Sequence, residues 1–270
     1  MIPQNQIIMS TQITTEQIKE LRDATGISVM QCKHALEEAE GDMKKALAIL
    51  KKTSSDIALK KVNREVKDGR VSIKSESQKA VLVSLHCETD FVAKNEDFVK
   101  LLNELTAIAF KDGVEKMKGR AKDLIDPIIQ KTGENIQLGG AFEVSGNVLG
   151  NYVHNNKIGI IVSLEGGNAE LAKDIAMHIT AMKPEYITPD EISEDTRKTM
   201  KEIFEKEVIG VNKPEEIKKK MLDGKIATYF KEKTLLDQIF IKAKENPGET
   251  VGQLLEKNKA KIKEVKRYSI

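Results

Sequence analysis

The residues from His86 to Asp90 carry the side chains with the clearest chemical potential in this sequence. His86, Glu88 and Asp90 alternate along the chain, so on one extended strand they would share a face. Such a trio could act as general acid and base or ligate a metal ion. However, the sequence has no phosphate-binding glycine loop, no Gly-x-Ser-x-Gly elbow and no paired nucleophile and base. We therefore expect a protein that is not an enzyme and has no catalytic residues, no metal site and no cofactor.

The two cysteines each have a histidine close by, which raises the question of a zinc site. Cys32 and His34 lie two residues apart on a predicted helix, roughly 200° around its axis. His86 and Cys87 are consecutive on a predicted strand and point to opposite faces. Because neither pair converges, we expect both cysteines to be small buried hydrophobic residues in a reducing compartment.

Asp90 is followed by Phe91, and this pair lies where a protein that only had to fold would favour a plain polar turn. Residues 80–87 alternate as a strand does, and a helical apolar pattern begins at Phe98. Asp90 and Phe91 therefore lie on the connection between a strand and a helix. Phe91 could be a core anchor beside a turn acid, or an exposed functional side chain; Val92 could already anchor the connection.

Composition favours a protein partner. The 270 residues, 40% of them apolar, are enough for two or more domains with substantial cores. With 44 basic against 42 acidic residues the net charge is only +2, which disfavours direct binding of nucleic acid. Aromatic residues make up 4% and tryptophan is absent, so stacking platforms for single-stranded RNA are poorly supplied as well.

The sequence also bears on location. No run of about eighteen apolar residues could span a bilayer. The first twelve residues, MIPQNQIIMSTQ, lack both the basic start of a signal peptide and the arginine-rich character of a transit peptide. We expect a cytoplasmic protein that does not bind membranes.

Residues 12–54 are predicted to form three short helices in a compact domain. Thr14 with Gln17 forms a capping box, Ser28 with Gln31 begins the second helix and Asp42 caps the third. The sides predicted to face inward carry Ile18, Leu21, Val29, Cys32, Leu36, Ala39, Met43, Ala46, Leu47 and Leu50. Residues 55–69 are polar and lysine-rich, which predicts a linker or a solvated helix.

An internal repeat follows, with the order strand, strand, helix in each copy. The first copy belongs to a core subdomain at 70–145 and the second to one formed by 146–189 and 235–270. In the second copy the strands turn at Asn155 and Asn156. Alignment of the copies leaves six extra residues, Thr89 to Lys94, between strand and helix of the first copy. The scaffold does not require these residues, so a functional loop is predicted.

Residues 190–234 are predicted to form an antiparallel helical hairpin inserted into the second subdomain. Two amphipathic stretches, 192–208 and 215–230, are broken between Gly210 and Pro214. The apolar set predicted to join the arms is Met200, Ile203, Phe204, Ile217, Met221, Leu222, Ile226 and Tyr229. A last strand is expected at 262–270.

The segment Thr-Asp-Phe-Val-Ala-Lys-Asn at 89–95 closely resembles one that elongation factor Ts proteins carry after a strand. Other stretches resemble the same family, over roughly Ile13 to Tyr268. They are Lys-Glu-Leu-Arg at 19–22, Met-Gln-Cys-Lys-His-Ala-Leu at 30–36, Gly-Glu-Asn-Ile at 133–136, Ile-Ala-Met-His at 175–178, Lys-Pro-Glu-Tyr at 183–186 and Thr-Val-Gly-Gln-Leu-Leu at 250–255.

The resemblance implies an α+β fold with an N-terminal ubiquitin-associated-like (UBA-like) three-helix domain, a duplicated core and a coiled-coil hairpin. It also implies guanine nucleotide exchange on elongation factor Tu, bound with GDP or free of nucleotide. Thr89, Asp90, Phe91 and Val92 would then enter the partner beside its magnesium site and dislodge the ion.

Further contacts with the partner are implied at other matching positions. These residues are Arg22, Val29, Met30, Lys33, His154 and Val251. His34 and His178 are expected to be structural residues of their helices. A different function also stays open, that of an adaptor whose UBA-like domain binds proteins irrespective of nucleotide.

Overall fold

The computed structural model describes residues 13–242 and 247–270. The first twelve residues, on which the targeting argument rests, and residues 243–246 of the second predicted subdomain lie outside that range. The described chain divides into two compact units. The first comprises 13–74, 81–143 and 269–270, and the second comprises 75–80 and the described part of 144–268. Helices and small sheets are mixed, so the expected α+β class is confirmed.

The first unit begins with three helices, α1 (Thr15–Thr25), α2 (Val29–Glu38) and α3 (Met43–Lys61). Their buried side chains form one small core, which consists of Leu21, Ile27, Cys32, Ala35, Leu36, Ala39, Ala46 and Leu50. Val29 and Leu47 were also expected to face inward, but both are exposed. Val29 is the first residue of α2, and the buried residues of that helix begin one turn later, at Cys32.

The three predicted helix caps are all present. Thr14 and Gln17 form a reciprocal capping box at α1, and Ser28 accepts the backbone N–H of Gln31 at α2. Asp42 accepts two backbone N–H groups at the start of α3. Each cap satisfies N–H groups that a helix leaves unpaired in its first turn, which is why these short sequence signals located the helix starts.

The first repeat follows. Its elements are β1 (Asp68–Glu76), β2 (Lys79–Cys87), α4 (Asp90–Lys94), α5 (Glu96–Asp112), α6 (Val114–Thr132) and β3 (Ile136–Ser145). The strands form a sheet of order β1-β2-β3. The predicted strand face of β2 and the apolar side of α5 meet in one core, where Phe98 and Leu105 are fully buried. The sequence did not predict strand β3, and α6 continues through Pro127.

The segment at 55–69 was predicted as a linker or a solvated helix. It is helical as far as Lys61, the end of α3, but that helix packs against α6 and is not fully solvated. Ser55 Oγ donates to Asp126 Oδ2 at 2.7 Å, and Ser54 Oγ donates to Gln130. Ala58 belongs to the core of the first repeat. The contact uses small and hydroxyl side chains between lysines, so it gives no apolar periodicity that sequence reasoning could detect.

The second repeat has the predicted order, with β4 (Val148–His154), β5 (Ile158–Glu165) and α7 (Ala169–Met182). The strands pair antiparallel from Val148 opposite Leu164 to His154 opposite Ile158. Asn155 and Asn156 turn the chain with φ of 50° and 59°, a conformation that asparagine tolerates better than most residues. The helix α10 (Val251–Lys257) and β6 (Lys261–Ser269) complete this part, with sheet order β4-β5-β6.

The predicted hairpin is formed by α8 (Glu194–Ile209) and α9 (Glu215–Lys233). Phe204 and Tyr229 meet edge to face with ring centres 5.6 Å apart, as the predicted joining set requires. Ile203 and Ile217 are exposed, so their assignment to the joining face was wrong. No helix within 13–242 or 247–270 combines the length and the apolar character needed to cross a bilayer.

Candidate functional site

The connection from β2 to α5 occupies eight residues, 88–95, and is helical where a loop was predicted. Two caps explain its form. Thr89 Oγ1 accepts the backbone N–H of Val92 at 3.4 Å and starts α4, and Asn95 Oδ1 accepts the N–H of Asp97 at 2.9 Å and starts α5. Two caps six residues apart divide the chain into a short first helix and a long second one.

Phe91 projects from α4 into solvent with 81% of its surface exposed. Its neighbours hold the helix instead, since Ala93 is buried and Val92 packs against the core of the first repeat. The interpretation of Phe91 as a core anchor is therefore wrong. An exposed phenylalanine gains nothing for the folded chain, and its burial elsewhere would supply about 1.5–3 kcal/mol.

Asp90 is the first residue of α4, and its side chain is about half exposed. One carboxylate oxygen accepts a hydrogen bond from Lys94 Nζ at 2.6 Å, one helical turn away. This hydrogen bond and the charge of Asp90 raise the pKa of Lys94. An acid at the N-terminus of a helix and a cation at its C-terminus each interact favourably with the helix dipole.

Glu134 lies beside the start of α4. The sequence did not identify it as a site residue. Its carboxylate accepts the backbone N–H of Glu88 at 3.1 Å, the N–H of Thr89 at 3.0 Å and the hydroxyl of Thr89 at 2.5 Å. In return, Glu88 Oε1 accepts the N–H of Asn135 at 2.6 Å and lies 3.5 Å from Arg64 Nη1. The only signal for these contacts was the family-like segment 133–136, because the partners are about 45 residues apart in sequence.

The acid–base trio suggested by His86, Glu88 and Asp90 does not form. Strand β2 ends at Cys87, so the alternation stops before Glu88, which is bound to Asn135 and Arg64. Partial burial lowers the pKa of His86. Within the described residues no group of three or more histidine, cysteine, aspartate or glutamate side chains could hold a metal ion.

Both cysteines are free and buried, as expected. Burial, together with the charges of Glu134 and Asp68, raises the pKa of the Cys87 thiol to about 12. A thiol with that pKa is protonated near neutral pH and is a poor nucleophile. Cys87 Sγ instead donates to the carbonyl oxygen of Thr89 at 3.2 Å, which links the strand end to the start of α4.

Four of the residues that the resemblance associated with partner binding lie at the junction of α1 and α2. We name Arg22, Val29, Met30 and Lys33 the α1–α2 patch. Val29 and Met30 are 46% and 59% exposed, and Arg22 and Lys33 are exposed as well. Lys33 forms an ion pair with Glu37 at 3.6 Å. Two exposed apolar side chains and two exposed cations at this junction are of types suited to protein contacts.

His154 ends β4 and is exposed. Its Nδ1 lies 3.2 Å from the hydroxyl of Tyr152, and its Nε2 lies 3.2 Å from Nδ2 of Asn155. Both ring nitrogens therefore have neighbours that fix the ring at the rim of the hairpin turn. This position leaves His154 available for a contact outside the chain.

Val251 does not fit the predicted contact role. It is the first residue of α10 and is 0% exposed in the core of the second repeat, so in this conformation it cannot touch a partner. His178 is buried and structural, as expected, and its Nε2 lies 2.9 Å from Oε1 of Gln238. His34, by contrast, is exposed beside Glu37.

Comparison with known proteins gives a consistent set of similarities. A family model described as Elongation factor TS matches residues 88–270. Elongation factor Ts of Hahella chejuensis is 40% identical over 265 residues, which cover 96% of this chain and 92% of that relative. The proteins of the same name from Thioalkalivibrio sulfidiphilus and Cellvibrio japonicus are 38% and 37% identical, over 96% of this chain and 92% and 90% of theirs.

Proposed function

The chain belongs to the elongation factor Ts family, and from that premise we propose that it is the guanine nucleotide exchange factor for elongation factor Tu. It binds the GDP-bound partner, promotes release of GDP and remains bound to the nucleotide-free form during translation elongation. It forms no covalent intermediate and needs no cofactor of its own. The observation that carries the proposal is the exposed Phe91 on a helical turn that the equivalent connection of the second repeat lacks.

In this mechanism α4 enters the partner as a unit. GDP in such a partner is held by amides of a phosphate-binding loop and by a magnesium ion that bridges protein and phosphate. Phe91 supplies a ring that can be buried in the partner, and Asp90 places a carboxylate near the partner's magnesium site. Thr89 and Val92 hold the turn from which both project. In the complex the partner would adopt a conformation that no longer holds its magnesium ion, and GDP would then dissociate faster.

The energetics require contacts beyond α4. A ten-thousand-fold change in GDP affinity corresponds to about 5.5 kcal/mol of differential interaction. Burial of Phe91 contributes only about 1.5–3 kcal/mol of that. We assign the remainder to the α1–α2 patch and His154, which are exposed and can grip the partner. Reciprocity also holds, because GDP weakens binding of the factor by the same ratio as the factor weakens binding of GDP.

The proposed setting is the cytoplasm, with no direct contact to nucleic acid or membrane. The balance of charges supports this, since a net charge of +2 offers little attraction to a phosphate backbone or an anionic lipid surface. The three-helix unit α1–α3 is proposed to act as a UBA-like docking domain and the pair α8 and α9 as a coiled-coil projection.

Release of fluorescent GDP from elongation factor Tu tests the proposal. The partner is loaded with the labelled nucleotide, excess unlabelled GDP is added and the fluorescence decay is followed with increasing amounts of this protein. We expect the release rate to rise by orders of magnitude and to saturate. An adaptor indifferent to nucleotide would bind the partner equally well with and without GDP and leave the release rate unchanged. That outcome would refute the proposed function.

A further inference from the structure

The short helix α4 cannot hold its own conformation. Five residues form little more than one turn, and isolated helices of that length are unstable in water because nucleation is costly. The direction in which Phe91 leaves the surface therefore depends on contacts between α4 and the rest of the first unit. Val92 and Ala93 anchor its inner side, but apolar contacts alone do not fix the rotation of a helix about its axis.

The carboxylate of Glu134 supplies the directional contacts. It accepts the N–H groups of Glu88 and Thr89 and the hydroxyl of Thr89, the residue that caps α4. Hydrogen bonds to an ionised acceptor are about twice as strong as those between neutral groups. Because three donors converge on two oxygens, the backbone directly before α4 has little freedom to rotate.

The position of Glu134 is itself fixed. Helix α6 ends at Thr132 and is capped by Gly133, whose φ of 79° is readily accessible only to glycine, so the chain turns sharply and brings Glu134 back. Asn135 follows, and its side chain donates to the carbonyl oxygens of Val62 and Arg64. Its backbone N–H binds Glu88, so the segments 88–89 and 134–135 are joined by hydrogen bonds in both directions.

The other end of α4 has a separate contact. Arg70 Nη1 donates to the carbonyl oxygen of Ala93 at 3.4 Å, which satisfies one of the carbonyls that the helix end leaves unpaired. Compared with Glu134, this single longer bond constrains α4 weakly. The placement of the helix is therefore set mainly at its start.

We propose that Glu134 is a positioning residue for Phe91: by fixing the start of α4, it holds the exposed ring in the direction in which it enters the partner. This inference rests on the proposed function and assigns a role to a residue that does not itself touch the partner or the nucleotide. Its effect is pre-organisation, since a ring already in place loses less conformational freedom on binding.

The first test measures the placement of α4 in the free protein. Glu134→Ala also removes a charge that raises the pKa of the Cys87 thiol, so amide hydrogen exchange, and not thiol alkylation, is the suitable measurement. The N–H groups of Val92 and Ala93 bond to Thr89 and not to Glu134. We expect Glu134→Ala to raise amide hydrogen exchange at Val92 and Ala93 by at least about fivefold. Glu115→Gln, which changes an exposed acid on α6, is the matched control and should leave both rates unchanged.

The second test measures GDP release at saturating concentrations of each variant. We expect Glu134→Ala to lower the saturated rate by about fivefold to tenfold, and Glu134→Gln, which keeps one acceptor oxygen, by about twofold to threefold. In a Phe91→Ala background, Glu134→Ala should have a clearly smaller effect, because Asp90 is then the only group left for α4 to position. A merely structural role would instead lower the rate by the same factor in both backgrounds and lower the melting temperature with it.

The outcomes separate this inference from the proposed function. If the wild-type protein does not accelerate GDP release, the proposed function fails, while amide exchange at Val92 and Ala93 still decides whether Glu134 fixes α4. If the wild type is active but Glu134→Ala changes neither amide exchange nor GDP release, the inference is overturned. Equal losses in the presence and absence of Phe91 would also overturn it.

Discussion

The two strand-to-helix connections of the repeat occupy equivalent places and have opposite characters. In the second repeat, residues 166–168 lead directly from β5 into α7, where Asn168 caps the helix as Asn95 caps α5. Gly166 and Gly167 have φ of 80° and 70° and lie against Lys259 and Ala260. In the first repeat the connection is eight residues long and carries the exposed ring of Phe91.

The difference shows what the scaffold needs and what has been added to it. A three-residue turn is enough to join strand to helix, and it packs tightly against its own core. The longer connection keeps the same asparagine cap and inserts one helical turn before it. Val92 and Ala93 attach this turn to the core, whereas Asp90 and Phe91 extend away from it, so we attribute these two to binding.

The largest change in stability should come from adding a side chain to the tightly packed short connection of the second repeat. A Cβ on Gly166 would lie 2.2 Å from the backbone oxygen of Lys259, in a conformation that L residues rarely adopt. Gly166→Ala should therefore lower the free energy of unfolding by about 3 kcal/mol, measured by urea denaturation. GDP release by the folded fraction should be unchanged. Gly224→Ala is the control, because its Cβ would meet no atom within 4 Å. Equal stabilities of the two variants would contradict the comparison.

The next effect should come from the long connection. Here a substitution should lower the rate of GDP release and leave stability almost unchanged. Phe91→Ala removes an exposed ring, so the free energy of unfolding should change by less than about 0.5 kcal/mol. The rate of GDP release should fall about tenfold to a hundredfold, equivalent to roughly 1.4–2.8 kcal/mol. Ile209→Ala, which removes another exposed apolar side chain, should leave the rate unchanged. A fall in melting temperature that accounts for the lost activity of Phe91→Ala would refute the binding role of the long connection.

Asp90→Ala should act in the same direction with a smaller effect, about threefold to tenfold on GDP release, since the acid adds charge to a site that the ring already occupies. The double variant should lose less than the product of the two single effects, because both residues act on one site. GDP release by the four proteins of this cycle is the measurement. Strictly multiplicative losses would mean that Asp90 and Phe91 act independently.

The α1–α2 patch should contribute affinity, and the long connection should contribute to the exchange step. Met30→Ala is expected to raise the concentration needed for half-maximal GDP release by about fivefold, or roughly 1 kcal/mol, with an unchanged saturated rate. A point substitution is preferable to deletion of the first 52 residues, because a cut there would divide α3 and expose its contact with α6. A lower saturated rate for Met30→Ala would contradict this division of roles.

The last effect concerns pH and distinguishes the cores of the two repeats. If α7 is aligned with α5 through their capping asparagines, His178 matches Leu105, and both side chains are fully buried. Burial lowers the pKa of His178, although its hydrogen bond to Gln238 acts in the opposite direction. Below about pH 6.5, His178 therefore binds a proton in the unfolded chain but stays neutral in the folded chain until the pH is lower. The free energy of unfolding falls as the pH falls.

His178→Gln should remove this part of the pH dependence. Urea denaturation at pH 7.5 and 5.5 should show a smaller loss of stability for the variant than for the wild type, by at most about 1.4 kcal/mol for each pH unit. His86, whose pKa is also lowered, contributes equally to both proteins. If the two proteins lost the same stability, His178 would not be a source of the pH dependence.

Local signals predicted much of this fold, and long-range contacts account for what was missed. The caps at Thr14, Ser28 and Asp42 and the turn at Asn155 depend on neighbours within a few residues, so the sequence located them correctly. Strand β3 was hidden because Gly139 and Gly140 interrupt its alternation. The burial of Val251 depends on packing against distant residues, which the sequence around it does not reveal.

The candidate site followed the same rule. The position of Phe91 between strand and helix, and its exposure, came from the pattern around it and from the resemblance. The helical form of residues 90–94 needed two caps, Thr89 and Asn95, that were not considered together. The role of Glu134 could not be predicted, because hydrogen bonds across about 45 residues leave no periodic signal in the sequence.

The packing of α3 against α6 affects how quickly α4 can reach the partner after the α1–α2 patch has docked. A flexible tether would leave α4 to search for its site after the α1–α2 patch had docked, at an effective concentration set by the tether's length. Here α3 is hydrogen-bonded to α6, and Lys61 donates to the carbonyl of Gly133, next to Glu134. In the proposed complex the docked helices and Glu134 would therefore move together, and the second contact would form with little additional loss of entropy.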